Sequence, residues 1–266
     1  MESLLPQVYG ELTNYLNVHK AVSGEELTWK ISLVVNSLSE GEQKRLAELL
    51  GGDAKQLIFD GITGEYRLSV FSPDMHVAIN YLGEVFYTPP THRYEPDEIA
   101  KAYRRLIDLR FPKISQILED SVTDLMKKSG YDLSEVMSQK GGAHKSLKAC
   151  KDNDELDLLI FPSIVFVSDN LTELQGATSE TAVIVPAEKS PAPFVNFIRE
   201  NRDAVRENIK MMIWVVGLDQ KTTSPFLGKP RDTKIWGNFK DPEKSLLATE
   251  LWVKGTMRSR VLDEDF

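Results

Sequence analysis

The chain has a single cysteine, Cys150, and therefore no internal disulfide bond. A chain of 266 residues is long enough to fold around a core without such bonds, and their absence is typical of reducing compartments. We therefore expect a cytoplasmic or otherwise intracellular protein. The longest apolar runs, at 157–167 and 211–218, fall short of the roughly 20 residues that a membrane helix needs. The first residues also lack the features of a signal peptide. We expect a soluble protein with no membrane partner.

The common motifs of metal and nucleotide sites are missing as well. The sequence has no H-E-x-x-H, no paired cysteines and no G-x-G-x-x-G, and its four histidines are scattered. The segment Gly141–Ser146, GGAHKS, departs from a phosphate-binding loop because His144 stands where that motif has its second glycine. We expect no cofactor.

The first 50 residues have the apolar spacing of three helices. Ser23 with Glu26 and Ser39 with Glu42 form capping-box patterns before the second and third helices. The segment 56–71 predicts a β-hairpin, and Ser72 begins another predicted helix. Three helices and then a hairpin resemble a winged helix in element order. The third helix is acidic, which favours packing on protein over reading DNA.

The segment 94–151 is predicted to be mostly helical. We expect two helices, at 96–110 and 113–128, because Pro112 should break the pattern between them. A short helix over 132–138 and a flexible, lysine-rich loop over 138–151 are expected to follow.

Continuous apolar runs after Asp157 predict strands that are buried on both faces. The helical pattern at 194–209 lies between two of these runs, which indicates a βαβ unit. The sequence thus predicts an α+β or mixed α/β fold in three regions. These are a small α-rich region with a hairpin (1–90), a basic helical segment (94–151) and an α/β region (152–266).

Charge is distributed unevenly along the chain, whose net charge is −8. Residues 101–151 carry 11 basic and 6 acidic side chains, although the segments on either side are acidic. Such a basic segment predicts a non-enzymatic protein that binds an anionic partner, most plausibly nucleic acid, without reading sequence. The candidate contacts are Lys101, Arg104, Arg105, Arg110, Lys140, His144, Lys145, Lys148 and Lys151.

A metal-dependent nuclease is the alternative from another class. Such enzymes place an acidic residue on one strand and D/E-x-K on the next, so that two carboxylates bind Mg²⁺ beside a lysine. Asp157 or Asp169 is the candidate first acid, and Glu188 with Lys189 is the candidate second element. Glu188 and Lys189 are adjacent, however, and neighbours on a regular strand point to opposite faces.

A protein–protein assembly factor is the third interpretation. In that case the basic segment pairs with the acidic regions, within the chain or between subunits, and the protein binds a protein partner or itself.

Overall fold

A computed structural model describes residues 4–64, 77–89, 92, 95–136, 143–175, 179–206 and 211–263. The chain forms two compact units, Met1–Leu109 and Arg110–Phe266. Within the described residues, no helix is long and apolar enough to cross a membrane. The three regions expected from the sequence stay a prediction about which parts fold independently.

The first unit begins with four helices and one very short strand. These are α1 (Leu4–His19), β1 (Val22–Ser23), α2 (Gly24–Asn36), α3 (Glu40–Leu50) and α4 (Ala54–Thr63). The capping residues explain where the helices start. The Ser23 hydroxyl accepts a hydrogen bond from the Glu26 amide at 3.1 Å, and the Glu42 carboxylate accepts one from the Ser39 amide at 2.9 Å. Asp53 caps α4 in the same way.

A three-stranded antiparallel sheet completes this unit, with the order β1-β3-β2. Its other strands are β2 (Val77–Tyr81) and β3 (Glu84–Thr88), which pair from Val77 with Thr88 to Tyr81 with Glu84. The predicted hairpin at 56–71 was wrong at its start, because Gln56–Thr63 belongs to α4. Residues 65–71 and the predicted helix start at Ser72 lie outside the described residues.

Helix α5 (Pro96–Lys128) is continuous, and the expected break at Pro112 was wrong. Pro112 is exposed, so its ring sits on the solvent side of the helix rather than in the core. Asp97 and Glu98 in the first turn and two lysines in the last turn complement the helix dipole. The division between the two units falls within this helix, after Leu109.

The second unit is built on a six-stranded mixed sheet with the order β4-β5-β6-β7-β8-β9. The strands are β4 (Asp132–Glu135), β5 (Lys145–Lys151), β6 (Asp154–Ile160), β7 (Glu180–Pro186), β8 (Met211–Gly217) and β9 (Thr222–Leu227). Strands β6, β7 and β8 are parallel, and the outer pairs are antiparallel. This arrangement confirms the predicted α+β fold with a βαβ unit in the C-terminal part.

Helices cover both faces of this sheet. The remaining helices are α6 (Ile164–Asp169), α7 (Leu171–Gln175), α8 (Ala192–Glu200), α9 (Arg202–Arg206), α10 (Thr233–Asn238) and α11 (Pro242–Asp263). One core layer joins the C-terminal part of α5 and α10 to the face that carries Leu158 and Trp214. The other layer joins α6, α7, α8 and α11 to the face that carries Val183 and Ile213.

Two local predictions in the segment 132–151 were wrong. The expected helix at 132–138 begins as strand β4, and the expected loop at 138–151 includes strand β5. Hydrogen bonds between strands stabilise both segments in the extended conformation, because β5 pairs with β4 on one side and with β6 on the other. The predicted boundary between residues 151 and 152 falls at the β5–β6 hairpin. Ser138–Gly142 of the expected loop lie outside the described residues.

Candidate functional site

The predicted cations on α5 contact acidic groups of the first unit. The Lys101 ammonium lies 2.9 Å from Glu98, and the Arg105 guanidinium lies 2.8 Å from the carboxylate of Glu26. Arg105 also donates to the Ala21 carbonyl. Glu26 is only 4% exposed, so its pair with Arg105 belongs to the interior of the unit. Arg104 and Arg110 also have interaction partners.

The predicted cations on β5 contact carboxylates of the second unit. Lys145 lies 2.8 Å from Glu119 and 2.7 Å from Glu135. Hydrogen bonds to these two groups raise the pKa of Lys145. Lys148 lies 2.7 Å from Glu155. Since strand side chains alternate, Lys145 and Lys148 lie on opposite faces of the sheet and do not form one open cationic surface.

Two further residues of the predicted nucleic-acid contact set have different surroundings. His144 is exposed, and its ring lies edge-on to Phe111 with the centroids 4.2 Å apart. Lys140 lies outside the described residues.

Lys151 belongs to a polar cluster with Asp232 and Tyr131. The Lys151 ammonium lies 2.5 Å from the Asp232 carboxylate, which also accepts a hydrogen bond from the Tyr131 hydroxyl at 3.1 Å. The other oxygen of Asp232 caps α10 by accepting from the Lys234 amide at 2.6 Å. The hydrogen bond from Lys151 is the main cause of a lowered pKa for Asp232. Burial and the bond to Asp232 raise the pKa of Tyr131. The cluster joins β4, β5 and α10.

The candidate nuclease residues are spread over the second unit. Asp157 is buried on β6 opposite Thr181, and it accepts a hydrogen bond from Ser179. Glu188 and Lys189 lie in the loop after β7, beyond Pro186. At about 3.3 Å per residue, the five steps along the strand from Thr181 to Pro186 span roughly 16 Å. The structure therefore does not bring Asp157 and Glu188 together. Asp169 is the last residue of α6.

A different acidic pair does share a sheet face with a lysine. Glu155 and Asp157 are two residues apart on β6, and Lys148 lies directly opposite Asp157 on β5. The signal in the sequence is the acidic–apolar–acidic alternation at 155–157, which does not have the D/E-x-K pattern. Lys148 already pairs with Glu155. Across the described parts of the chain, no three ligand-type side chains are grouped to hold a metal ion.

A groove in the second unit lies near the carboxyl end of strand β7. It has a volume of about 530 Å³ and lies between the start of α8, strands β8 and β9, and α11. Three aromatic rings form its walls: Phe194 of α8, Phe226 of β9 and Trp252 of α11. The ring centroids of Phe194 and Phe226 are 5.0 Å apart, and those of Phe226 and Trp252 are 6.0 Å apart. We call this feature the aromatic groove.

The loop between β7 and α8, strand β9 and helix α11 all contribute polar groups to the aromatic groove. Glu188 of this loop lines the groove, together with Ser190, whose hydroxyl accepts a hydrogen bond from the Ala192 amide at 3.1 Å. Ser224, Ser245 and Thr249 add hydroxyl groups from β9 and α11. The sequence indicates Glu188 as a candidate catalytic residue but does not predict the groove, because rings from three distant segments form it.

A comparison with known families finds one similarity. Residues 166–241 match the model of a domain of unknown function (DUF6834), C-terminal domain. The match runs from α6 into the segment after α10 and includes Glu188, Phe194 and Phe226, but not Trp252. It covers less than half of the chain. No curated protein matches the sequence.

Proposed function

We propose that this chain is a non-enzymatic, intracellular binding protein whose N-terminal unit holds a protein partner through α2. The observation that carries the proposal is the exposure of Trp29 and Leu33, at 48% and 50%. The two side chains are four residues apart and therefore lie on one face of the helix. Tryptophan is enriched at the energetic centres of protein interfaces, and a neighbouring apolar residue enlarges the contact.

The charge of the unit supports a protein partner over DNA. The segment 1–109 carries 10 basic and 16 acidic residues. Its helices α3 and α4 contain only Lys44, Arg45 and Lys55 as cations. Four helices precede the β2–β3 hairpin at Val77–Thr88, which differs from the three helices and the hairpin at 56–71 that the sequence predicts. Phosphate attraction supplies much of the affinity of DNA-binding proteins, and an acidic unit favours a protein surface instead.

Nucleic-acid binding by residues 101–151 stays a prediction. Lys101, Arg105, Lys145, Lys148 and Lys151 each contact a carboxylate of the chain itself. A phosphate that reaches one of these cations must replace a carboxylate partner. Such a contact therefore contributes less binding free energy than a contact with an unpaired cation. The ion pairs therefore favour the assembly interpretation, in which the basic segment pairs with acidic regions of the chain.

Site-specific photo-cross-linking in cells tests the protein-partner proposal. A photoreactive residue replaces Trp29 or Leu33, and the matched control replaces Leu247, a similarly exposed leucine on α11. We expect one discrete covalent product at both α2 positions and none at Leu247. A product of twice the 30.0 kDa chain mass indicates self-association, and any other mass indicates a different partner.

Two results contradict the proposal. One is the absence of any product at positions 29 and 33. The other is the same pattern of products at all three positions, which indicates random collision rather than a specific interface. Circular dichroism of each variant confirms that α2 still folds.

A further inference from the structure

The aromatic groove is built from elements that fix its shape without a ligand. Phe194 lies on a helix and is 8% exposed, and Phe226 lies on a strand of the main sheet. Val253 of α11 is 9% exposed and belongs to the core layer below the groove, which anchors the helix that carries Trp252. A cavity of about 530 Å³ is in the usual range for small-molecule sites, which are commonly preformed.

The chemistry of the lining selects for positive charge. Aromatic rings attract cations that lie over a ring face within about 6 Å of its centroid, and three such rings line the groove. The only ionisable residue among the lining residues in the described part of the chain is the acid Glu188. A carboxylate beside aromatic rings favours an organic cation and disfavours an anion of the same size.

The position of the groove agrees with a ligand site. Glu188 and Ser190 follow the carboxyl end of β7, the central one of the three parallel strands. In open α/β sheets, ligands bind beyond the carboxyl ends of the strands, where loops meet the helices. The groove lies on the sheet face covered by α8 and α11, and both Glu188 and the three rings line it.

We propose that the aromatic groove binds a free small organic ammonium compound with an apolar body. Its cationic nitrogen sits between Glu188 and the ring faces, and its body packs among Phe194, Phe226 and Trp252. The hydroxyl oxygens of Ser224, Ser245 and Thr249 accept hydrogen bonds from the remaining N–H groups of the ligand. The site belongs to the second unit and is independent of the α2 surface, so each proposal stands or fails without the other.

Calorimetric titration of the full chain with three related indoles tests this site. Tryptamine is the cationic probe, tryptophol is its neutral counterpart, and indole-3-propionate is the anion. We expect tryptamine to bind at least about tenfold more tightly than tryptophol, and indole-3-propionate to bind most weakly. Glu188→Gln should remove the preference for tryptamine over tryptophol.

Two further variants separate the groove from general effects. Ala248→Trp on α11 fills the groove from an exposed position and should weaken all binding at least about tenfold without disturbing the core. Glu250→Gln removes an exposed carboxylate of the same helix outside the lining and should change nothing. The proposal is overturned if tryptamine does not bind at millimolar concentration or binds no better than the anion. It is also overturned if Glu188→Gln keeps the preference or if Ala248→Trp binds normally.

Discussion

At the scale of single residues, the buried carboxylate of Glu26 carries a charge that needs partners inside the first unit. It contacts Arg105 at 2.8 Å and accepts a hydrogen bond from the Tyr15 hydroxyl at 2.7 Å. Burial and this bond raise the pKa of Tyr15. The interior of the unit tolerates the charge of Glu26 because two donors from α1 and α5 meet it there.

Glu26→Ala should therefore destabilise the chain by about 3 kcal/mol or more, because it leaves the Arg105 charge without its buried partner. Lys128→Ala is the control, since its pair with Asp124 is more than 60% exposed and should contribute about 0–1 kcal/mol. Urea unfolding of both variants measures the difference. Equal effects of the two substitutions contradict the buried-pair interpretation.

Asp232 gives the chain an acid-dependent contribution to stability. Its pKa is lower in the folded chain than its ordinary value of about 4, so the folded state favours the ionised form. This stabilisation is complete above about pH 4 and disappears as the pH falls through the lowered pKa.

The free energy of unfolding should fall less steeply below about pH 4 in Asp232→Asn than in the unaltered chain. The control Asp219→Asn changes an exposed turn residue and should leave this pH dependence unaltered. Thermal unfolding from pH 2 to pH 6 checks this expectation. An unchanged pH profile for Asp232→Asn contradicts the role of the bond from Lys151.

At the scale of elements, helix caps were the most reliable signals in the sequence. Ser23 and Ser39 correctly predict the starts of α2 and α3, because their side chains satisfy amides of the first turn. The same physics explains the error at 56–71. Asp53 caps α4, and this cap outweighs the β-prone composition of Gln56–Phe59.

Strands β4 and β5 were missed for a different reason. Lys145–Lys151 has lysines on both faces, and neither its apolar content nor its turn residues indicate a strand. Hydrogen bonds to β4 and β6 hold it in place, and the paired residues are up to 18 positions apart in the sequence, as in Asp132 with Cys150. Such pairing depends on context that single-residue preferences do not contain.

Pro112 should lower the stability of α5, because proline is about 3 kcal/mol less favourable than alanine inside a helix. Pro112→Ala should raise the free energy of unfolding by about 1–3 kcal/mol. The gain can fall below the full value of about 3 kcal/mol because alanine gives the unfolded chain more conformational freedom than proline does. Pro96→Ala, at the first residue of the same helix, should give no gain. Denaturant titrations of both variants compare the two positions. A loss of stability in Pro112→Ala is the contrary result.

The β5 cations provide the sharpest test of nucleic-acid binding. If Lys145 and Lys148 contact phosphates of a single strand, removing both should reduce the slope of log affinity against log salt by about 1.4. We expect no change in the slope for Lys145→Ala/Lys148→Ala, because both lysines pair with carboxylates of the second unit. Titrations of a single-stranded oligomer across a salt series measure it. A reduced slope restores the nucleic-acid prediction.

At the scale of the whole molecule, the fold class was predictable but the candidate site was only partly so. Apolar runs after Asp157 correctly indicate the buried parallel strands β6, β7 and β8, because both sheet faces are covered by helices. The end of the first run is an exception, because Ile164–Val167 belongs to α6. Ion pairs such as Lys151 with Asp232 join residues 81 positions apart, and the aromatic groove joins rings from α8, β9 and α11. Periodicity reports which side of an element is buried, but not which distant element it meets.

The separation of Asp157 from Glu188 bears on catalysis. We expect no Mg²⁺-dependent cleavage of DNA by the purified chain, because Asp157 and Glu188 lie at opposite ends of the parallel strands. A plasmid-nicking assay with Mg²⁺ and Mn²⁺ checks this expectation. Cleavage that Glu188→Ala removes favours the nuclease set predicted from the sequence. Cleavage that Asp157→Asn removes points instead to the face shared by Lys148, Glu155 and Asp157.

The continuity of α5 limits how the chain can be divided into fragments. Its N-terminal part buries Tyr103 and Leu106, and its C-terminal part buries Leu118 and Val122. A fragment that ends at Leu109 cuts a helix without a cap, and a fragment that keeps all of α5 exposes the apolar side chains of the other part. Expression trials on either half should therefore yield aggregating material, and gene fusions are best made outside 96–128. The two units share a helix where most two-part proteins have a linker, and neither is a portable module.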